Sequence, residues 1–340
     1  MEDTCLYPVF VRQGTSQQAA KVGYINRAGL VVIDPTFDDG TYFYDGIAAI
    51  RIKNKWGFID STGAIRIAPR LPNPGYFDSG VASVSIGGGY DYGVVDVSGR
   101  FVVPPKRQEI GRFSEGMAWF SPGVPEKHQN YGFLNQKGEV TVAPTFSRAA
   151  SFSEGLAAVE LNRKWGFIEE SGAFCLEPTY LGVYNDRGNE VVAGASSFRQ
   201  GLARVHVGNQ YAYIDKKGKV QFQVEADLVL PFAGDRALIR SHGNFGFIDN
   251  MGNVKIDIQF SMAYDFSDAM SAVEVAKGSK KLWGIIDRNG KWLVEPRFLY
   301  ALPPRSGLCF VETEETIGYV NATGEFVWEA PFVEYRAFGL

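Results

Sequence analysis

In GLAAVELNRKWGFIE, residues 155–169, two apolar runs are parted by the polar step NRK. The second run sets Trp165, Gly166, Phe167 and Ile168 side by side, with large side chains on both faces of an extended chain. That pattern predicts a strand buried on both sides rather than one half exposed. The first run, GLAAVEL, predicts a neighbouring strand that turns back into it.

KWGFIE at 164–169 nearly repeats KWGFID at 55–60, and aligning the chain on the glycine yields nine copies. They are VGYIN at Gly23, WGFID at Gly57, YGVVD at Gly93, YGFLN at Gly132, WGFIE at Gly166, YAYID at Ala212, FGFID at Gly246, WGIID at Gly284 and IGYVN at Gly318. Three positions past each anchor stands Asp, Asn or Glu: Asn26, Asp60, Asp96, Asn135, Glu169, Asp215, Asp249, Asp287 and Asn321. Six positions past it stands glycine, from Gly29 and Gly63 through Gly290 and Gly324. An Asp or Asn opening a type I turn hydrogen-bonds the backbone that follows, and a glycine at the fourth place supplies positive φ, so each copy predicts a tight hairpin. The anchor glycine is expected to let a neighbouring ring or backbone approach closely.

A second apolar run follows each turn and reaches proline twelve past the anchor in six copies: Pro35, Pro69, Pro105, Pro144, Pro178 and Pro296. Proline has no amide to donate, so the ladder is expected to end or meet a sheet edge there. An aromatic two residues later is frequent (Phe37, Phe146, Tyr180, Phe260, Phe298, Phe332). A connector then closes on a Phe-x-x-Gly step, FYDG at 43–46, FDSG at 77–80, FSEG at 113–116 and 152–155 and FRQG at 198–201, with the weaker relatives FAGD, FSDA and PRSG. Each unit therefore reads as a three-stranded meander plus a connector that supplies a fourth, shorter strand.

From anchor to the end of the next Phe-x-x-Gly step the distance is 23 in seven of eight cases; the exception is the 35 residues between Gly166 and Gly201, where about a dozen around YNDRGNEVVAGASS are added. From that step to the following anchor it is 11 in five cases but 13, 16 and 15 before Gly93, Gly132 and Gly284, which gathers the extra residues in one hairpin on one rim. Such units cannot bury both faces alone, and stacking completes the core. The expected fold is all-β: one domain over residues 1–340, nine tandem antiparallel β-meander repeats of about 34–46 residues. A propeller-like closed ring, which removes sheet edges, is favoured over an open β-superhelix.

At 45% hydrophobic and 21% charged residues the chain has ample apolar mass for a core. A net charge of −4 leaves no basic field for phosphate backbones, so nucleic acid is not an expected partner. Cys5, Cys175 and Cys309 are odd in number and far apart, which implies no disulfide framework and no zinc site; buried thiols in strands are the expectation. MEDTCLYPVFVRQG begins acidic without a basic or apolar leader segment, and no stretch approaches the ~18 apolar residues of a membrane span. A cytoplasmic protein without membrane insertion is expected.

With KWGFID, KWGFIE, WGIID and the recurring FSEG-L-A-x-V step, the chain resembles the WG-repeat (KWG-repeat) proteins, a bacterial family. The resemblance covers nearly the whole chain, although VGYIN, YAYID and IGYVN depart from the Trp-Gly pair. It implies an all-β scaffold that mediates protein interactions. No catalytic residue is carried over, because the shared residues belong to turns and core, among them Trp56, Trp165, Trp283, Gly57, Gly166 and Gly284.

Outside the repeat little chemistry converges. The acidic residues at the third position and Glu115 and Glu154 of FSEG are periodic, which argues for structure. His128, His206 and His242 lack metal-ligand spacing, and GGGYDYG at 87–93 lacks the Lys-Ser/Thr of a phosphate cradle. No catalytic, metal or cofactor site is expected. The nonperiodic loops SPGVPEKHQN at 121–130 and LGVYNDRGNE at 181–190 are the candidate partner-binding surfaces, with Glu126, Lys127, His128, Gln129, Tyr184, Asp186 and Arg187 as contacts. The expected function is a non-catalytic scaffold that binds another protein, to neutralise or recruit it; a glycan- or small-ligand-binding module is the alternative.

Overall fold

The structure, a computed structural model, describes residues 5–12, 20–87, 90–123, 130–184, 190–192, 194–208 and 210–332. Every element among these is a strand, and no helix is present that is long and apolar enough to cross a membrane. All nine anchors lie in strands, from Lys21–Ile25 around Gly23 to Thr316–Val320 around Gly318. The chain divides into two compact units, Met1–Phe37 with Gln221–Leu340, and Asp38–Val220.

The sheet around Gly57 shows how one repeat is made. Its strands Asp39–Gly40, Ile47–Ile52, Lys55–Asp60 and Ile65–Leu71 lie side by side in chain order, each antiparallel to the next. Gly57, Phe58 and Ile59 are all buried, as the two-faced pattern predicts. The short first strand recurs at Gln108–Ile110, Arg148–Ala149, Leu228–Val229, Met262–Ala263 and Tyr300–Ala301, so the connector does supply a fourth strand. The residues added after Gly166 include a hairpin of their own, Val183–Tyr184 against Glu190–Val192.

The turn after the central strand has the expected chemistry. Asp60 Oδ1 accepts the N–H groups of Thr62 and Ala64 at 2.9 and 3.1 Å, and Gly63 has φ 85°. Asn26, Asp96, Asn135, Asp215, Asp249, Asp287 and Asn321 do the same. In the Glu169 copy, whose side chain is longer, Ser171 Oγ accepts instead.

Asp249 is the most enclosed of the series. Burial pushes its carboxyl pKa up, but N–H donation from Asn253 and Met251, the Asn253 amide and Lys255 together outweigh that and bring it down to about 2. A folded pKa below the unfolded value of about 3.9 means stabilisation that is present above pH ~4 and is lost as pH falls toward 2, worth on the order of 2 kcal/mol. Asp249→Asn is expected to remove that pH-dependent part while keeping the turn acceptor. Asp249→Ala should lose the acceptor too, costing about 1–3 kcal/mol at neutral pH. Denaturant midpoints measured from pH 2 to pH 6 distinguish the two variants.

At the prolines the chain meets a sheet edge, one of the two expected outcomes. The strand is the sheet edge, but it does not stop: Ile65–Leu71 runs through Pro69, and Val31–Phe37, Val140–Phe146, Phe174–Leu181 and Trp292–Phe298 run through theirs. Register shifts explain how. Phe58 opposes Ile67 and Trp56 opposes Leu71, so Ala68, Pro69 and Arg70 bulge opposite the single residue Gly57. The bulge lifts the residue without an N–H off the ladder, and pairing resumes beyond it. Only Pro105 falls past its strand, Phe101–Val103. The anchor glycine is the other half of this device: a Cβ on Gly57 would lie 2.4 Å from Ile67 O and 2.7 Å from Pro69 N. What approaches it is backbone.

Cysteine placement also differs in part. Cys309 is buried in a strand and Cys175 half-buried in one, but half-buried Cys5 precedes the strand Tyr7–Val11.

Repeats stack through two recurring contacts. A phenylalanine one past the anchor meets the phenylalanine of the next Phe-x-x-Gly step edge-on or tilted, at 5.0 Å for Phe58–Phe77, 4.9 Å for Phe133–Phe152, 4.7 Å for Phe167–Phe198 and 4.8 Å for Phe247–Phe266. The turn glycine seats on an edge strand of the preceding repeat: Gly99 on Ile67, Gly172 on Val142, Gly290 on Ile256, Gly324 on Val294. Within the first unit the same joint links the first repeat to the last. Gly29 packs on the Val327 backbone, Tyr7 Oη donates to Ser306 O at 2.7 Å, and Tyr319 Oη donates to Pro8 O at 3.0 Å. An open superhelix keeps its terminal repeats apart; here they are joined as neighbours, and the fold is of the β-propeller type.

Candidate functional site

The Phe-x-x-Gly steps are two-residue hairpin turns. In FYDG the N–H of Tyr44 donates to Ile47 O at 2.9 Å and that of Ile47 to Tyr44 O at 3.0 Å, with φ of 52° at Asp45 and 74° at Gly46. Two successive positive φ values define a type I′ turn, which explains the glycine. Glu115, Glu154, Gln200, Asp268 and Ser306 hold the Asp45 place at φ between 46° and 55°. These turns and the Asx turns lie at the same end of each meander.

Neighbouring turns are tied through the side chain at the first positive-φ position. In the second unit Asp45 Oδ2 accepts the Gly80 N–H at 2.8 Å, Glu115 accepts those of Glu154 and Gly155 at 2.7 and 2.9 Å, and Glu154 accepts that of Gly201 at 3.0 Å. FSEG is thus acidic because its carboxylate bridges to the next repeat.

In the first unit this end of the molecule holds a pocket of about 740 Å³. Its walls come from three sheets: Arg27 from the first repeat's Asx turn, Asp268 and Ala269 from the FSDA step with Met270 just after it, and Ser306–Gly307–Leu308, Asn321–Ala322–Thr323 and Val327 from the last repeat. The Arg27 guanidinium lies against Gly307, 2.5 Å from where a Cβ would stand. Asn321 Oδ1 is engaged by the Thr323 N–H and hydroxyl at 2.9 and 2.7 Å. A hydrogen-bonding wall beside Met270, Leu308 and Val327 suits a ligand group with one polar tip.

Glu126, Lys127, His128, Gln129, Asp186 and Arg187 lie outside the described residues, and Tyr184 sits in the strand Val183–Tyr184. Trp165 and Trp283 are buried, the latter stacked on Tyr264 at 5.2 Å, whereas Trp56 is half-buried under Arg51 at 5.6 Å. His206 packs on Tyr211 at 4.4 Å, and burial pushes its pKa down; His242 sits at φ 51° in a hairpin turn with Nδ1 3.0 Å from Ser241 Oγ. Among the described residues no cluster of His, Cys, Asp and Glu could hold a metal.

Of the pocket residues Asn321 stands out in the sequence, and only as a turn residue. The signal that could have found them is the weakening of the step itself, because FSDA and PRSG, two of the three weaker relatives of Phe-x-x-Gly, supply two of its walls.

Propeller-type meanders, bulged opposite a glycine anchor and tied at one end by type I′ turns, define a β-repeat protein. The chain belongs to the WG-containing repeat family, which matches at residues 23–56, 56–90, 92–121, 131–165, 245–277 and 283–315, more than half its length. Among solved structures it is similar to the dihydro-heme d1 dehydrogenase NirN in complex with DHE, at 12% identity and TM-score 0.45, over 77% of this chain and 66% of that one. It is also similar to apo AztD from Citrobacter koseri, at 14% identity and TM-score 0.41, over 85% of this chain and 93% of that one. No curated protein matches the chain.

Proposed function

We propose that the protein is a non-catalytic β-repeat scaffold that binds another protein, to recruit or neutralise it, and that the pocket between the first repeat and the last two is where the partner inserts. The make-up of that pocket supports the reading best: turn groups of three sheets meet apolar side chains there, the combination that seats a single anchoring residue of a partner. A small free ligand is the second reading, since about 740 Å³ lies within the volumes such ligands occupy. A glycan is disfavoured by a lining without an aromatic ring to stack on. A cytoplasmic location belongs to the proposal and agrees with three free cysteines. A net charge of −4 supports a partner other than nucleic acid.

Affinity capture with the full-length protein from its native lysate, then rebinding of the purified partner, tests the reading. One stoichiometric protein is expected, with affinity falling roughly tenfold in Arg27→Ala. Retention of no protein, together with a melting temperature raised by a small molecule, would move the assignment to the second reading. Replacing residues 124–129 by a Gly/Ser linker tests the other candidate surface: affinity should drop with the melting temperature unchanged, and undiminished affinity would remove that loop from the interface.

A further inference from the structure

The pocket stands where the periodic bridge between turns is left open. Asp268 is the third residue of FSDA, at φ 54°, and so occupies the place of Asp45 in FYDG, at φ 52°; Ser306–Gly307 correspond to the receiving turn, as Ser79–Gly80 do for Asp45. In the second unit the carboxylates of Asp45, Glu115 and Glu154 each cross to the next turn and meet its amides. Among the described residues no carboxylate reaches the Gly307 amide. Asp268 and Gly307 instead form separate parts of the pocket wall, and the Arg27 guanidinium is set against Gly307.

Both turns have other partners here. The Asp268 main-chain oxygen accepts from Arg288 Nε at 2.9 Å, and the same guanidinium pairs with Asp235. At the receiving side Tyr7 and Cys5 of the first repeat hold the Ser306 oxygens at 2.7 and 3.3 Å. The gap keeps its electrostatics. Type I′ turn amides with positive φ form a concave donor surface for an anion, and a guanidinium fork beside them matches a carboxylate.

We propose that this pocket takes a carboxylate from an acidic side chain of a partner polypeptide, seated where Asp45, Glu115 and Glu154 place their own carboxylates elsewhere in the chain. The identification of the partner as a polypeptide rests on the scaffold reading; the carboxylate chemistry does not. The ligand oxygens accept from the Gly307 N–H and from Arg27, while Met270, Leu308 and Val327 line the space for its methylene stem. Asp268, also in the pocket wall, selects against a second negative charge on the ligand and favours an isolated acidic residue over an acidic run.

The test is an amide-resolved NMR titration of the full-length protein with N-acetyl-glutamate N-methylamide, its glutamine counterpart and acetate. The glutamate probe should shift the Gly307 amide saturably, and the glutamine probe should leave it unmoved. Arg27→Gln should weaken the glutamate probe roughly tenfold, the value of a charge-assisted hydrogen bond. Asp268→Glu should abolish binding and raise the melting temperature, because the longer side chain can close the bridge as Glu115 and Glu154 do. Equal binding of both amide probes, or an unmoved Gly307, overturns the carboxylate site. Acetate binding as tightly as the glutamate probe overturns the polypeptide source and assigns the site to free small acids. A partner captured by a protein whose Gly307 ignores the probe would sink this inference alone; probe binding with no partner retained would sink the scaffold reading alone.

Discussion

Trp165→Ala lowers stability by about 3–5 kcal/mol, the cost of emptying a large aromatic from a packed core. Trp165 is 4% exposed and lies in Lys164–Ile168, opposite Glu160 on one side and Tyr180 on the other. It belongs to a buried cluster with Phe167, Phe198, Val205 and Ile214, drawn from the fifth repeat and the sixth. Removing the ring therefore loosens the joint between two repeats as well as one sheet. The ring is packed against backbone as well: a Cβ on Gly194 would be 2.6 Å from Trp165 Cδ1. Trp56→Ala provides the internal comparison, because that ring is only half-buried, packed against the core of its repeat and lying under Arg51. Its loss should cost less than half as much. Denaturant midpoints of the three proteins decide the matter, and a Trp165→Ala midpoint equal to wild type would refute the core assignment.

Gly57→Ala is expected to destabilise by several kcal/mol, on the order of 3 or more, from a single added methyl. The methyl would meet Ile67 O at 2.4 Å, Pro69 N at 2.7 Å and Ala68 C at 3.0 Å, all of them backbone atoms of the bulge. A flexible side chain could yield; a bulge pinned by proline and by pairing on both sides yields only by breaking the ladder. Gly46→Ala separates this mechanism from backbone conformation. Gly46 has φ 74° with nothing within 4 Å of a Cβ, so its substitution carries the left-handed strain alone, about 1–2 kcal/mol. Thermal melts should therefore rank Gly57→Ala well below Gly46→Ala. The reverse order would mean that the bulge, not the glycine, gives way.

What was legible in the sequence is what a repeat decides within itself. The order of apolar positions around Gly57, the Asp or Asn that opens the turn and the glycine that closes it act over a few residues, so they recur at fixed offsets and can be read by alignment of the chain with itself. The Phe-x-x-Gly step is legible for the same reason, but its type I′ geometry appears only in the structure. Proline was half legible: its missing N–H marks an edge strand, but the bulge that carries the strand onward depends on the glycine facing it across the sheet. The contact of Gly29 with Val327 and of Tyr7 with Ser306 lay beyond reach, because it depends on small rotations between repeats that accumulate along the chain and leave no mark on any one of them. The pocket belongs with these. Asp45 and Asp268 are the same residue in the same turn, yet only Asp45 reaches the next amide, and the groups that gather on the turns around Asp268 and Gly307, Arg288, Arg27 and Tyr7, come from distant stretches of sequence.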